Sequence, residues 1–203
     1  MYYAIYKNLR DAAWQCLFDR KIDKLPVDVL KIAEECNVHV IRDSIVNELK
    51  PGEDARTYCN GNKWIVIFND RNSSETSRFA IAHELGHILL GHEKAFAKYS
   101  SLEYFTQKPK AEKQADMFAL RLLCPACILM ELDLHTPEEI STFCRVPTHW
   151  AQKRSDRMKE LYKRNKFFTN NLEIEIHKNF NIYLSAIKEN QRKDPAWHSN
   201  KNE

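Results

Sequence analysis

The sequence predicts an α+β fold: a small antiparallel sheet packed on one buried helix, followed by a helical C-terminal region. Three observations predict it. Apolar residues recur at helical spacing along most of the 203 residues. Two short β-prone runs flank the pair Gly61-Asn62, a hairpin signal. One segment, Thr76 to Leu90, is apolar on nearly every side and belongs in the core of a globular protein.

Ala4 to Arg20 and Pro26 to Cys36 read as helices, the second through Val27, Leu30, Ile32 and Ala33. Val38 to Ile41 is a short β-branched run, and Ala55 to Asn60 with Lys63 to Asn69 forms the hairpin. Ser73 or Ser74 caps the helix that ends before Gly91, and Glu75 in its first turn suits the helix dipole. Glu93 to Lys108 reads as a long irregular rim, and Pro109 opens a helix over Lys110 to Leu123 with Ala111, Ala115, Phe118, Ala119 and Leu122 on one face. Thr136-Pro137-Glu138-Glu139 is a capping box with Pro at the first helical position. Thr136 to Cys144 and Thr148 to about Lys163 then have the lengths and short connection of a helix-turn-helix pair. Leu172 to Ile176 fits a strand or a helix, and the chain after Asn190 is polar and expected to fray. These readings divide the chain into a core over 1–130, a helix-turn-helix-like region over 131–165 and an extension over 166–203.

The net charge of +3 is uneven: Arg145 to Glu203 carries 13 Lys/Arg against 7 Asp/Glu, whereas the rest is slightly acidic. A basic tail admits weak DNA contact through Thr148, Gln152, Lys153, Arg154 and Arg157, although a solvated helical face gives the same count. No secretory signal or membrane-length apolar run is present, so a cytoplasmic protein with no membrane partner is expected. The six cysteines are then expected to be reduced. Cys124, Cys127, Cys144 and His149 make a poor zinc set, because Cys124 continues an apolar stripe and Pro125 ends its helix.

The chemistry lies in His83-Glu84-Leu85-Gly86-His87. Residues four apart on a helix are only about 40° apart around its axis, so two imidazoles can converge on one ion. Glu84, beside them, is placed to act as the general base on an activated water. Polar groups on so apolar a helix need a compensating partner, and a dication supplies one. A catalytic zinc takes a third protein ligand and keeps one position open. His92 faces away if the helix continues, and the spacing G-x-x-H after the motif is absent. Glu93 and Glu103 fall in the irregular rim. Glu112 is the favoured third ligand, because Asp116 one turn later shares its face and can orient a ligand histidine through the free ring nitrogen.

Arg78-Phe79-Ala80-Ile81-Ala82-His83-Glu84-Leu85-Gly86-His87, then Glu112-Lys113-Gln114-Ala115-Asp116-Met117-Phe118-Ala119 and Leu122-Leu123-Cys124-Pro125, together resemble the ImmA/IrrE metallopeptidases. Asp116 stands where that family commonly has Asn, and Cys124 where it has Met. The resemblance covers about Pro26 to Pro125. It implies a zincin-like peptidase core, one catalytic Zn2+ held by His83, His87 and Glu112, Glu84 as base, and a helix-turn-helix repressor of a mobile element, prophage or stress regulon as the protein substrate. The residue stabilising the oxyanion is not identified, and neither is the oligomeric state. An extended substrate is expected to add to Lys63 to Asn69 as an edge strand. The competing readings are a DNA-binding or protein-interaction regulator with a mainly structural metal site, and a zinc hydrolase acting on a non-peptide amide.

Overall fold

Helix α4, Ser74–Leu90, begins where the Ser73 side chain accepts the Thr76 N–H and ends at Gly91, whose left-handed backbone (φ 77°) lets its N–H reach the carbonyls of His87 and Ile88. Phe79, Ile81, Leu85, Ile88 and Leu89 are all buried, so α4 is packed from several directions. The computed structural model describes residues 9–61, 63–92 and 101–193. Helix α5, Ser101–Leu123, lies against α4 at Gly86. A Cβ there would sit 3.2 Å from Ala115 Cα and 3.3 Å from Phe118 Cδ1. Only a residue without a side chain lets the two backbones approach this closely. Helix α5 starts earlier than expected, with Pro109 inside it. Proline has a helical φ and forfeits one N–H bond, and because Pro109 is exposed, water can satisfy the orphaned carbonyl. Of the irregular rim expected over Glu93 to Lys108, 93–100 lies outside the described residues and the remainder is helical.

Helices α1 (Leu9–Asp19) and α2 (Val29–Glu35) precede strand β1, Val38–Arg42. A short helix α3, Asp43–Val46, leads to β2, Ala55–Asn60, and β3, Lys63–Phe68. The strand order is β1-β3-β2, with β2 antiparallel to β3 but β1 parallel to it. The sheet is therefore mixed, correcting the all-antiparallel expectation. The connection over 43–54 is long enough to carry the chain past one strand position, and β3, with Trp64, Ile65, Val66, Ile67 and Phe68 in succession, takes the centre where both faces are covered. Lys63 to Asn69 is therefore central rather than the expected edge, and β1 and β2 are the edge strands.

Asp43 anchors the 43–54 crossover by accepting the N–H groups of Glu48 and Leu49, at 2.8 and 2.9 Å, and pairing with Arg71. The Leu49 N–H, opposed by burial and aided by Glu48 and Arg71, holds its carboxyl below the usual range. A depressed folded-state pKa gives stability that is present above the unfolded value and lost as pH falls through the folded one. Asp43→Asn is therefore expected to narrow the gap between urea midpoints at pH 7 and pH 3; an unchanged gap would show that the capping charge contributes nothing.

The C-terminal half is helical: α6 (Ala126–Glu131), α7 (Pro137–Cys144), α8 (Thr148–Lys163), α9 (Asn171–Asn179) and α10 (Asn181–Lys193). The Thr136 capping box is formed, and α7 stops at Arg145 in the left-handed region. The segment from Leu172 to Ile176 is helical because Ile176, Phe180 and Leu184, four apart, are the residues that reach the core. Ile140, Cys144, Val146, Ala151 and Met158 share one apolar cluster with Leu85 and Phe118, and Phe79 of α4 stacks on Trp150 of α8 at 4.3 Å. Residues 194–203, most of the tail expected to fray, lie outside the described residues. None of the described helices is long and apolar enough to cross a membrane.

Candidate metal centre

One turn of α4 brings the His83 and His87 rings together with their Nε2 atoms 3.0 Å apart. The close approach at Gly86 brings α5 within reach, so Glu112 Oε2 lies 3.2 Å from His83 Nε2 and 3.4 Å from His87 Nε2. Ligand atoms on a tetrahedral ion with bonds of about 2.0–2.1 Å stand about 3.3 Å apart. The triangle of donors matches that spacing. His83, His87 and Glu112 are the one His/Cys/Asp/Glu group that could hold a metal among the described residues. Cys124, Cys127 and Cys144 are instead buried separately from the exposed His149 and form no such group.

The outer nitrogens of both rings are held. His83 Nδ1 is 2.8 Å from Asp116 Oδ1, as the sequence leads one to expect. A ring donating its Nδ1–H to that carboxylate presents its Nε2 lone pair to the triangle. His87 Nδ1 lies 3.1 Å from His92 Nδ1, and His92 Nε2 lies 3.1 Å from Gln114 Oε1. With Gln114 accepting from His92, His92 accepts from His87, and the His87 Nε2 lone pair is likewise directed inward. A helix continued through His92 would point it away from the site. Gly91 turns the chain instead and folds His92 back on His87. A glycine in the left-handed cap position was the available signal.

The electrostatics also favour positive charge in the triangle. Burial opposes an imidazolium at His83, but the bonds to Asp116 and Glu112 outweigh it and push its pKa up to about 9. Hydrogen bonds from His83 and then His87 hold the Glu112 carboxyl well below the usual range. Burial, with the neighbouring His87 second, pushes His92 down to about 4. A metal ion entering this triangle would have to displace the His83 proton, so its binding is expected to strengthen as pH rises. Asp116→Ala is expected to weaken metal binding about 10- to 100-fold by freeing the His83 ring, measured by competition with a chromogenic chelator. An affinity equal to wild type would remove Asp116 from the site.

Glu84, on the same helix, is half-buried and accepts a hydrogen bond from the Thr57 hydroxyl on edge strand β2. Thr57 is not legible in the sequence, because nothing local says which face of β2 meets α4. A cleft of about 380 Å³ opens over these groups, lined among others by Ala55, Phe79, His83, Glu84, Glu112 and Trp150. The turn between α7 and α8 is tied to α4, since Arg145 donates to Ser74 Oγ at 3.1 Å and Arg78 donates to the Arg145 carbonyl at 3.3 Å. Of the side chains offered to DNA, Thr148, Gln152, Lys153 and Arg157 are at least partly exposed, whereas Arg154 is 4% exposed.

Residues 33–156, more than half of the chain, match the family model described as the IrrE N-terminal-like domain, Peptidase_M78. The chain belongs to this peptidase family. The matched span contains the sheet, the histidine pair, Glu112, Asp116 and the first half of α8, so the family domain contains every group of the candidate centre. Membership in it gives the chain a metallopeptidase-type function. No curated protein matches the chain.

Proposed function

We propose that this member of the family is a zinc-dependent endopeptidase that cuts a protein substrate, a helix-turn-helix repressor of a mobile element, prophage or stress regulon. The observation that carries the reaction is the triangle of His83 Nε2, His87 Nε2 and Glu112 Oε2 beside the Glu84 carboxylate. The repressor rests on the resemblance of the three motifs to the ImmA/IrrE enzymes. Two imidazoles and one carboxylate suit zinc, which supplies Lewis-acid chemistry when bound: it polarises the scissile carbonyl and lowers the pKa of the attacking water.

The protein's own groups do the remainder. Thr57 occupies one oxygen of Glu84, which leaves the other to accept the water's proton and pass it to the departing amine. Strand β2 bounds the sheet beside the cleft through Ala55, so an extended substrate pairing with that edge lies next to Glu84. Phe79 and Trp150, stacked together, give the cleft an apolar wall for a substrate side chain.

The reading is tested with a purified candidate helix-turn-helix repressor. Zinc-loaded protein is expected to cut it at one position, a chelator to stop the cut and added zinc to restore it; an intact repressor under those conditions overturns the substrate assignment. Metal removal also has a stability readout. A ligand at 1,000 times its Kd stabilises the native state by about 4 kcal/mol. In a chain of this size that is about 8–16 °C in Tm. A chelated sample that melts with the zinc-loaded one would mean that no ion binds the folded state.

A further inference from the structure

A second cavity, of about 540 Å³, lies between α5 and α8 and meets the first at Asp116 and Trp150. Its charge is one-sided. Arg121, Arg154 and Arg157 line both it and a smaller adjoining cavity, and Lys113 and Lys153 add to the larger one. Arg154 is 4% exposed, yet its Nε has no hydrogen-bond partner, and neither has Arg121 Nη1. The nearby acids offset only part of this charge: Asp11 acts on Arg121 and Arg154 on Glu173, and the basic groups remain in excess. Asp116 is engaged with His83, and Glu173, buried beside the smaller cavity, accepts the Thr169 N–H at 3.2 Å. Burial, then Arg154 and Arg157, pushes Arg121 down to about 10, as expected for guanidiniums that repel one another away from water.

Arg154 is buried, Arg121 partly so and Arg157 exposed, and the unmet N–H groups of the first two are costly away from water unless an anion joins them. We propose that this cavity binds the phosphate of a small phosphorylated molecule, with Arg121, Arg154 and Arg157 as its anchors. A phosphate group carries more charge than a carboxylate, and it has enough oxygens to accept from several guanidinium forks at once. The cavity is larger than a bare phosphate needs and falls in the size range of small-molecule sites. Met117, Leu120 and Trp150 give it an apolar wall against which the rest of such a molecule can lie. Binding there does not depend on the peptidase reaction.

The test is calorimetric titration of the full-length protein with ADP, inorganic phosphate and adenosine at constant ionic strength set with chloride. ADP is expected to bind at least tenfold more tightly than adenosine. Arg121→Met and Arg157→Met are each expected to weaken ADP binding at least tenfold while leaving Tm in the absence of ligand unchanged or higher, since repulsion is relieved. Inorganic phosphate binding as tightly as ADP identifies the free ion as the ligand; tighter ADP binding identifies the larger molecule. Heats no greater than the chloride control, equal binding of adenosine and ADP, or ADP binding unaltered in both arginine variants would overturn the proposal.

Discussion

On the proposed function, Glu84→Gln is expected to lower the rate of substrate cleavage by about 100- to 10,000-fold, the range contributed by a positioned general base. The substituted amide is nearly isosteric with the carboxylate and can still accept the Thr57 hydroxyl through its carbonyl oxygen, so the fold and the sheet contact persist. It cannot take a proton from water at neutral pH. Glu84 is also outside the triangle of donors, and zinc affinity and Tm are expected to stay close to wild type. That combination separates a base from a ligand. Loss of zinc together with activity would make Glu84 part of the metal-holding set, and cleavage at the wild-type rate would end its assignment as base.

Glu112→Ala should weaken zinc binding by more than about 100-fold, beyond the effect expected for groups that only orient the ligands. The reason is charge as well as contact. Glu112 is the acid whose oxygen approaches both Nε2 atoms, and the two histidines hold it ionised, so its removal takes away the negative charge that balances a dication. Glu112→Gln keeps an oxygen in place without the charge and should fall between the two, with partial recovery of activity at high zinc. Equilibrium dialysis against buffered zinc reads both variants. Wild-type affinity in Glu112→Ala, with loss in Glu93→Ala, would transfer the third position to the acid that follows α4.

The contributions of sequence and structure divide at the range of the interactions involved. His83, Glu84 and His87 were legible because their convergence depends on a single helix, whose pitch is known in advance. The caps at Ser73, Gly91 and Thr136 were legible for the same reason. Asp116 was reachable by one further step, because it shares a helical face with Glu112. Thr57 and His92 were not. Thr57 meets Glu84 only after the sheet has packed on α4, and His92 meets His87 only because the chain reverses at Gly91. The sheet shows the same limit. Hairpin pairing between β2 and β3 is local and was anticipated, whereas the parallel pairing of β1 depends on a crossover whose path local pattern does not specify.

The sequence by itself thus determined the α+β class, the helix that carries the histidine pair and the pairing of β2 with β3, and it singled out Glu112 as the acid that the fold brings to the pair. Tertiary structure decided which strand is central, that Arg154 is buried beside a cleft between α5 and α8 rather than held out in solvent, and how closely α5 approaches α4. The first group follows from the periodicity of one backbone segment and its caps. The second depends on which surfaces exclude water from one another, and burial is a property of pairs of segments that no single segment encodes.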